Sequence, residues 1–248
     1  MSFKQTWWPQ SSQIEFDLWE KNKKIFSCEL DEIAQKYNCD KSNSQIVSQK
    51  YRNGDNVDDI IIPGHNYTEI YESFFKEIKN DEINILELGI GNYPTNGYSL
   101  RLWLDYFPNA KITLLDWSTN NFRFDFDYDK SRVEFHQIDQ NDENSLIHFS
   151  KNHDKKYDVI IDDCSHQGPH QFNTLKHFFP NILKPNGIYF IEDIHETSFL
   201  EYLPYIYDNL NGGNVHYQKK FDSEDMGISE IRFYRSLVYF KKGLKITR

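Results

Sequence analysis

Ionisable side chains crowd two short segments of this chain: Asp162, Asp163 and His166 in IIDDCSHQGPHQ, and Glu192, Asp193 and His195 in FIEDIHET. Each segment follows an apolar run of strand character, YDVIIDD and GIYFIED, so in a parallel sheet both emerge at the same carboxyl edge. Four carboxylates brought together there repel one another unless a divalent cation lies between them. Oxygen ligands suit a hard ion, Mg2+ or Ca2+, rather than Zn2+. Such an ion can bind two vicinal oxygens of an acceptor and acidify a hydroxyl. His166, three residues past Asp163, is placed to take the hydroxyl proton near neutral pH. A lone histidine at position 166 or 170 would more ordinarily cap a helix, and the adjoining acidic pair is what gives the base reading equal weight. Cys164, between Asp163 and Ser165, is a poor nucleophile because neighbouring carboxylates raise a thiol pKa.

A second set lies upstream. In ILELGIGNYPTNGYSLRLW a buried strand ends in the acid Glu87, turns through Gly89 and Gly91, and runs into an amphipathic helix. In that arrangement a ligand lies at the carboxyl end of the sheet, and glycine lets the backbone approach it closely. The loop departs from GxGxxG: Pro94 takes the place of the third glycine, and glycine returns only at Gly97, which disfavours a hydride-transfer dinucleotide enzyme. A carboxylate at Glu87 would repel a pyrophosphate but attract the ammonium group of S-adenosylmethionine. Asp116 ends the next strand, where one carboxylate can accept from both ribose hydroxyls. Asp139 follows the third strand and can pair with the adenine amino group. Each acid alone could be an ordinary cap or a solvated loop residue. Their order at three successive strand ends is the stronger signal.

The elements that must position these residues are legible as INILELGI, KITLLDW, RVEFHQID, YDVIIDD and GIYFIED, alternating with helical segments such as YSLRLWLDYF and HQFNTLKHFF. Continuous apolar strands alternating with helices imply a parallel sheet covered on both faces. KPNG at Lys184–Gly187 reads as a turn and NGG at Asn211–Gly213 as a loop; HYQKKF and RSLVYFKKG read as two closing strands, one antiparallel. Residues 1–65 read as an N-terminal helical and loop lid, with helices in IEFDLWEKNKKIF and LDEIAQKYN and a loop over Asn38–Asp59; residues 66–248 form the main domain. A chain of 248 residues accommodates one domain with such appendages. The net charge of -10 opposes a nucleic-acid surface. Three cysteines without paired spacing indicate neither a disulfide framework nor a zinc site, and with no signal segment or long apolar run they point to a cytoplasmic protein free of membrane.

The runs LDEIAQKYNCDKS, HNYTEIYESFF, ILELGIGNYPTNGYSLRLWLDYFPNAKITLLDW, HQIDQNDENSL, IIDDCSHQGPHQ and LKPNGIYFIEDIHET resemble bacterial metal-dependent sugar O-methyltransferases, among them mycinamicin-type macrolide-sugar enzymes and capsule and glycan methyltransferases. The resemblance covers roughly residues 30–200. It implies the Rossmann-like class I methyltransferase fold, with a seven-stranded, mostly parallel sheet. It also implies S-adenosylmethionine and Mg2+ as cofactors, and a sugar or nucleotide-sugar acceptor. Asp163, Glu192 and Asp193 would bind the metal and His166 would be the base. Glu87, Gly89, Gly91, Asp116 and Asp139 would line the cofactor pocket, with Tyr67 and Ser99 near the methionine end; Asp162 is counted with that pocket. Two departures bear on this: Cys164 replaces the usual glycine of DDGSH, and the insertion between DKS and HNY is long, so the acceptor does not carry over. A phosphoryl-type or catechol-like acceptor is the alternative, and a second copy of the chain remains an open partner. A non-catalytic scaffold gains nothing from clustered ionisable groups. An oxygenase lacks a clear set of two histidines and one carboxylate.

Overall fold

The computed structural model describes residues 28–47, 60–91, 96–194, 197–210 and 226–243. They divide between two compact units, Met1–Asn80 with Tyr98–Pro108 and Asp81–Gly97 with Asn109–Arg248, so the boundary expected after residue 65 falls inside the first unit.

The first unit contains helix α1 (Glu29–Lys36), strands β1 (Ser44–Val47) and β2 (Ile60–Pro63), and helices α2 (Thr68–Phe75) and α3 (Tyr98–Tyr106). Strands β1 and β2 pair antiparallel, so part of the stretch expected as loop is a strand. The polar composition that signalled a loop over Asn38–Asp59 does not prevent a short ladder, whose stabilisation comes from backbone pairing. Residues 48–59 and the helix expected in IEFDLWEKNKKIF lie outside the described residues. The unit is held by an aromatic cluster of Tyr71, Phe75, Trp103, Tyr106 and Phe107, all fully buried. Buried Asp31 adds a polar tie: its Oδ1 accepts from the Asn43 N–H at 2.9 Å and from Thr68 Oγ1 at 2.8 Å.

The second unit is built on β3 (Asn84–Leu88), β4 (Lys111–Asp116), β5 (Val133–Gln137), β6 (Tyr157–Asp162), β7 (Leu183–Ile191), β8 (Ile228–Tyr234) and β9 (Leu237–Lys242), with helices α4 (Glu143–Asn152), α5 (Gly168–Asn181) and α6 (Leu203–Leu210). The sheet is seven-stranded in the order β5-β4-β3-β6-β7-β9-β8. The first five strands in that order run parallel, and β9 is antiparallel to both neighbours. Ile85, Leu86, Ile112, Leu114, Val159, Ile160 and Ile161 are all buried, as expected of central strands covered on both faces. Within β7, pairing with β6 passes from Leu183 to Ile188, and Lys184–Gly187 bulges between them, where the turn was expected. RSLVYFKKG supplies β9, but the strand beside it is ISEIRFY; HYQKKF and NGG lie outside the described residues. Its charged residues, Glu230 and Arg232, had obscured β8, an edge strand that is buried only at Ile228. No helix among the described residues is long and apolar enough to cross a membrane.

Candidate functional site

The ladder continues past the strand ends and aligns the candidate residues along one edge. Gly89 N–H donates to Leu115 O, Asp163 N–H to Leu88 O, Glu192 N–H to Asp162 O, and Ile138 N–H to Asp116 O, each at 2.9 Å. The residues after β3, β5, β6 and β7 are thereby fixed in one row. Gly89 turns the chain there with φ +82°. A Cβ on it would collide with the Asp163 carbonyl oxygen and lie 2.7 Å from Cys164 Cα, so the glycine turn and the DDCSH turn pack backbone to backbone. Gly91 is also left-handed, at φ +75°. Residues 92–95, with Pro94, lie outside the described set.

Asp116, at the last position of β4, is buried and braces this loop. Its Oδ2 accepts from the Ile90 N–H at 3.3 Å, and its Oδ1 from the Ser118 N–H at 3.0 Å and Asn121 Nδ2 at 2.8 Å. Glu87 is buried at the end of β3. Asp139 is exposed and closes its own turn, accepting from the Asn141 N–H at 2.9 Å. Tyr67 and Ser99 belong to the first unit. Tyr67 is buried, with its N–H donating to Lys41 O at 2.9 Å, and Ser99 is the second residue of α3.

Two turns bring the reactive groups together. His166 and Asp193 adopt left-handed backbone conformations, φ +58° and +54°, which β-carbon-bearing residues rarely hold. With them, His166 Nε2 lies 3.1 Å from Asp163 Oδ1 and 3.6 Å from Asp193 Oδ2. The hydrogen bond to Asp163, opposed by burial and reinforced by the carboxylate charges, raises the imidazole pKa above its ordinary value. One ligand atom from each of Asp163, His166 and Asp193 lies within 4.8 Å of the others. The two carboxylate oxygens, on adjacent strand ends, suit a hard divalent cation, with the imidazole nitrogen beside them.

Glu192, expected as a ligand, is not in that cluster. It is buried, and its backbone carbonyl accepts from Gln171 Nε2 at 3.0 Å. Successive residues leaving a strand face opposite sides, so Glu192 and Asp193 start from different directions. His195 lies outside the described residues. Asp162, counted with the cofactor pocket, is fully buried, and Gln140 Nε2 donates to its Oδ1 at 2.7 Å and Oδ2 at 2.9 Å. Tyr189 OH adds a third donor at 3.3 Å. Burial nevertheless pushes the Asp162 carboxyl up to about 7. Burial and surrounding carboxylates raise the Cys164 thiol too, as expected of a non-nucleophile. Gln140 and Gln171 had no signal in the sequence, because a glutamine reads as an ordinary polar residue whether in a loop, as Gln140, or in a helix, as Gln171.

The strand order and the acids at its carboxyl edge define a class I methyltransferase fold. The MycE methyltransferase from the mycinamycin biosynthetic pathway, solved in complex with Mg and SAH, superposes with a TM-score of 0.67 over 88% of this chain and 54% of its own, at 23% identity. In sequence the chain is 32% identical over 133 residues to mycinamicin VI 2''-O-methyltransferase of Micromonospora griseorubida, and 34% identical over 138 residues to demethylmacrocin O-methyltransferase of Streptomyces fradiae. Each match covers 52% of this chain and 32% of the relative, so the chain spans about a third of the length of these curated relatives. No protein-family model matches it.

Proposed function

We propose that this chain is an S-adenosylmethionine-dependent O-methyltransferase acting on a sugar hydroxyl, assisted by a divalent cation. The observation that carries the reading is the meeting of Asp163, His166 and Asp193 beside a glycine turn that packs on Asp163 itself. S-adenosylmethionine would supply the methyl group, with Glu87, Gly89, Gly91, Asp116 and Asp139 around it; Tyr67 and Ser99 enter through the resemblance alone. Asp163 and Asp193 would hold Mg2+; Glu192, which is not grouped with them, enters as a ligand through the resemblance alone. The bound cation would act as a Lewis acid on the acceptor hydroxyl. His166 accepts the hydroxyl proton at Nε2, and Asp163 and Asp193 favour that transfer by stabilising the imidazolium that results. The glycine turn packs on the backbone of Asp163 and Cys164, in the same turn that carries this base.

Two further relatives are named for O-methylation of a rhamnosyl tetracenomycin and of L-olivosyl-oleandolide, which makes a sugar already joined to an aglycone the first acceptor class to assay. Free nucleotide sugars and glycans are the other arms. Calorimetric titration with S-adenosylhomocysteine, with Mg2+ and with chelator, is expected to give a Kd of about micromolar. Transfer of labelled methyl to a sugar hydroxyl is expected only with the metal. Absence of heat under both conditions would overturn the reading.

A further inference from the structure

Beneath the turn that carries His166 lies a side chain that the reaction does not consume. Gln140 follows β5 and is 2% exposed. Its amide is engaged at both ends. Oε1 accepts from the Ser165 N–H at 3.1 Å and from Ser165 Oγ at 2.7 Å. Nε2 donates to both oxygens of Asp162, at 2.7 and 2.9 Å, and lies 3.0 Å from Thr174 Oγ1. A backbone N–H can only donate, so the Ser165 N–H fixes Oε1 on the turn and leaves Nε2 for Asp162; reversing the amide opposes donor to donor at Ser165. Ser165 Oγ is in turn 3.0 Å from His170 Nδ1 and accepts from the Gln167 N–H at 3.3 Å. The turn is thus pinned at the residue just before His166, whose φ of +58° persists only where its surroundings over-determine it.

We propose that Gln140 is a positioning residue: by bridging the anchored Asp162 carboxylate to both polar groups of Ser165, it sets the left-handed turn that aims His166 at Asp163 and Asp193. The alternative role, satisfying a buried carboxylate, would occupy only the Nε2 end; here the Oε1 end is committed to the reaction turn, and Tyr189 also donates to the carboxylate. The inference rests on the methyltransferase reading for what His166 does, though not for what holds it.

The test compares the wild type, Gln140→Met, and Gln140→Met with Asp162→Asn. Methionine keeps the length and removes both sets of hydrogen bonds; the second change removes the buried charge, so that loss of fold cannot imitate loss of aim. Exchange of the Ser165 amide is expected to quicken about tenfold in both variants. For both, kcat is expected to fall about 10- to 100-fold, with acceptor KM within about twofold of wild type and, in Gln140→Met, S-adenosylhomocysteine affinity likewise. The double variant is expected to recover melting temperature but not kcat. Wild-type kcat in the double variant, or an unchanged Ser165 exchange rate, would overturn the proposal. Should Gln140→Met not fold, the double variant carries both readouts. Should the wild type transfer no methyl group, the proposed function fails, and Ser165 exchange with the His166 backbone angle in crystals of the variants still decides the inference.

Discussion

Two stretches of the second unit's carboxyl edge bend the chain through left-handed conformations, and they do so with opposite residue choices. After β3 the bends are glycines, Gly89 and Gly91; after β6 and β7 they are His166 and Asp193. At Gly89 there is no room for a side chain, because the Asp163 backbone occupies the space a Cβ would take. At His166 and Asp193 the side chains are what the edge exists to present, and the fold sustains a conformational cost of about 1–3 kcal/mol at each. One stretch is shaped by a backbone that must come close, the other by functional groups that must meet. A left-handed angle alone does not mark the chemistry, since Asn38, Asn66, Asn186 and Ser236 share it; His166 and Asp193 stand apart by the ionisable groups that the angle presents.

The largest expected effect separates the side chain at His166 from its backbone angle. Asparagine tolerates the left-handed region, so His166→Asn is expected to keep unfolding free energy within about 0.5 kcal/mol while turnover falls about 100- to 10,000-fold. Calorimetry should find S-adenosylhomocysteine affinity unchanged; lost affinity with intact turnover would refute the base assignment. Next comes the glycine side of the contrast. Gly89→Ala meets both a collision and an unfavourable angle, and denaturant unfolding is expected to register a loss of about 2–4 kcal/mol. A wild-type midpoint would show that the two turns do not pack as described.

Asp116→Ala tests whether an acid on the glycine side braces backbone. It removes acceptors for the Ile90 and Ser118 N–H groups and for Asn121. Stability is expected to drop about 1–2 kcal/mol and cofactor-analogue affinity about tenfold, read by melting and calorimetry. The smallest effect is a pH slope. Folded Asp162 keeps its proton up to about 7, whereas an unfolded aspartate releases it in the acidic range, so folding takes up a proton between those limits. Its contribution to stability therefore diminishes as pH rises through that window. Unfolding measured between about pH 5 and pH 7 should show a shallower decline in Asp162→Asn than in the wild type, and identical slopes would place the Asp162 pKa in the ordinary range.

Much of the scaffold was legible. The five apolar runs became β3 to β7, and YSLRLWLDYF and HQFNTLKHFF lie on α3 and α5, because buried strands and amphipathic helices announce themselves by period. Strand β8 was missed, since IRFY follows acidic and polar residues, and the β1–β2 pair was hidden in polar sequence. At the site, Asp163, His166 and Asp193 meet as a set, whereas Asp162 and Glu192, their immediate neighbours, do not join it. Alternation sets each pair of neighbours apart, but which member faces the site is decided by packing.

By itself the sequence determined that these acids reach one edge: parallel strands all end on the same side of a sheet, and each acid closes or follows such a strand. Only the tertiary structure decided which of them meet. The alternation of side chains across the sheet, the left-handed turns at His166 and Asp193, and the Gln140 amide clasping Asp162 to Ser165, 25 residues from Gln140, are set by register and packing. A strand's end fixes where a residue emerges, while the direction in which it points depends on backbone angles that its neighbours in space impose.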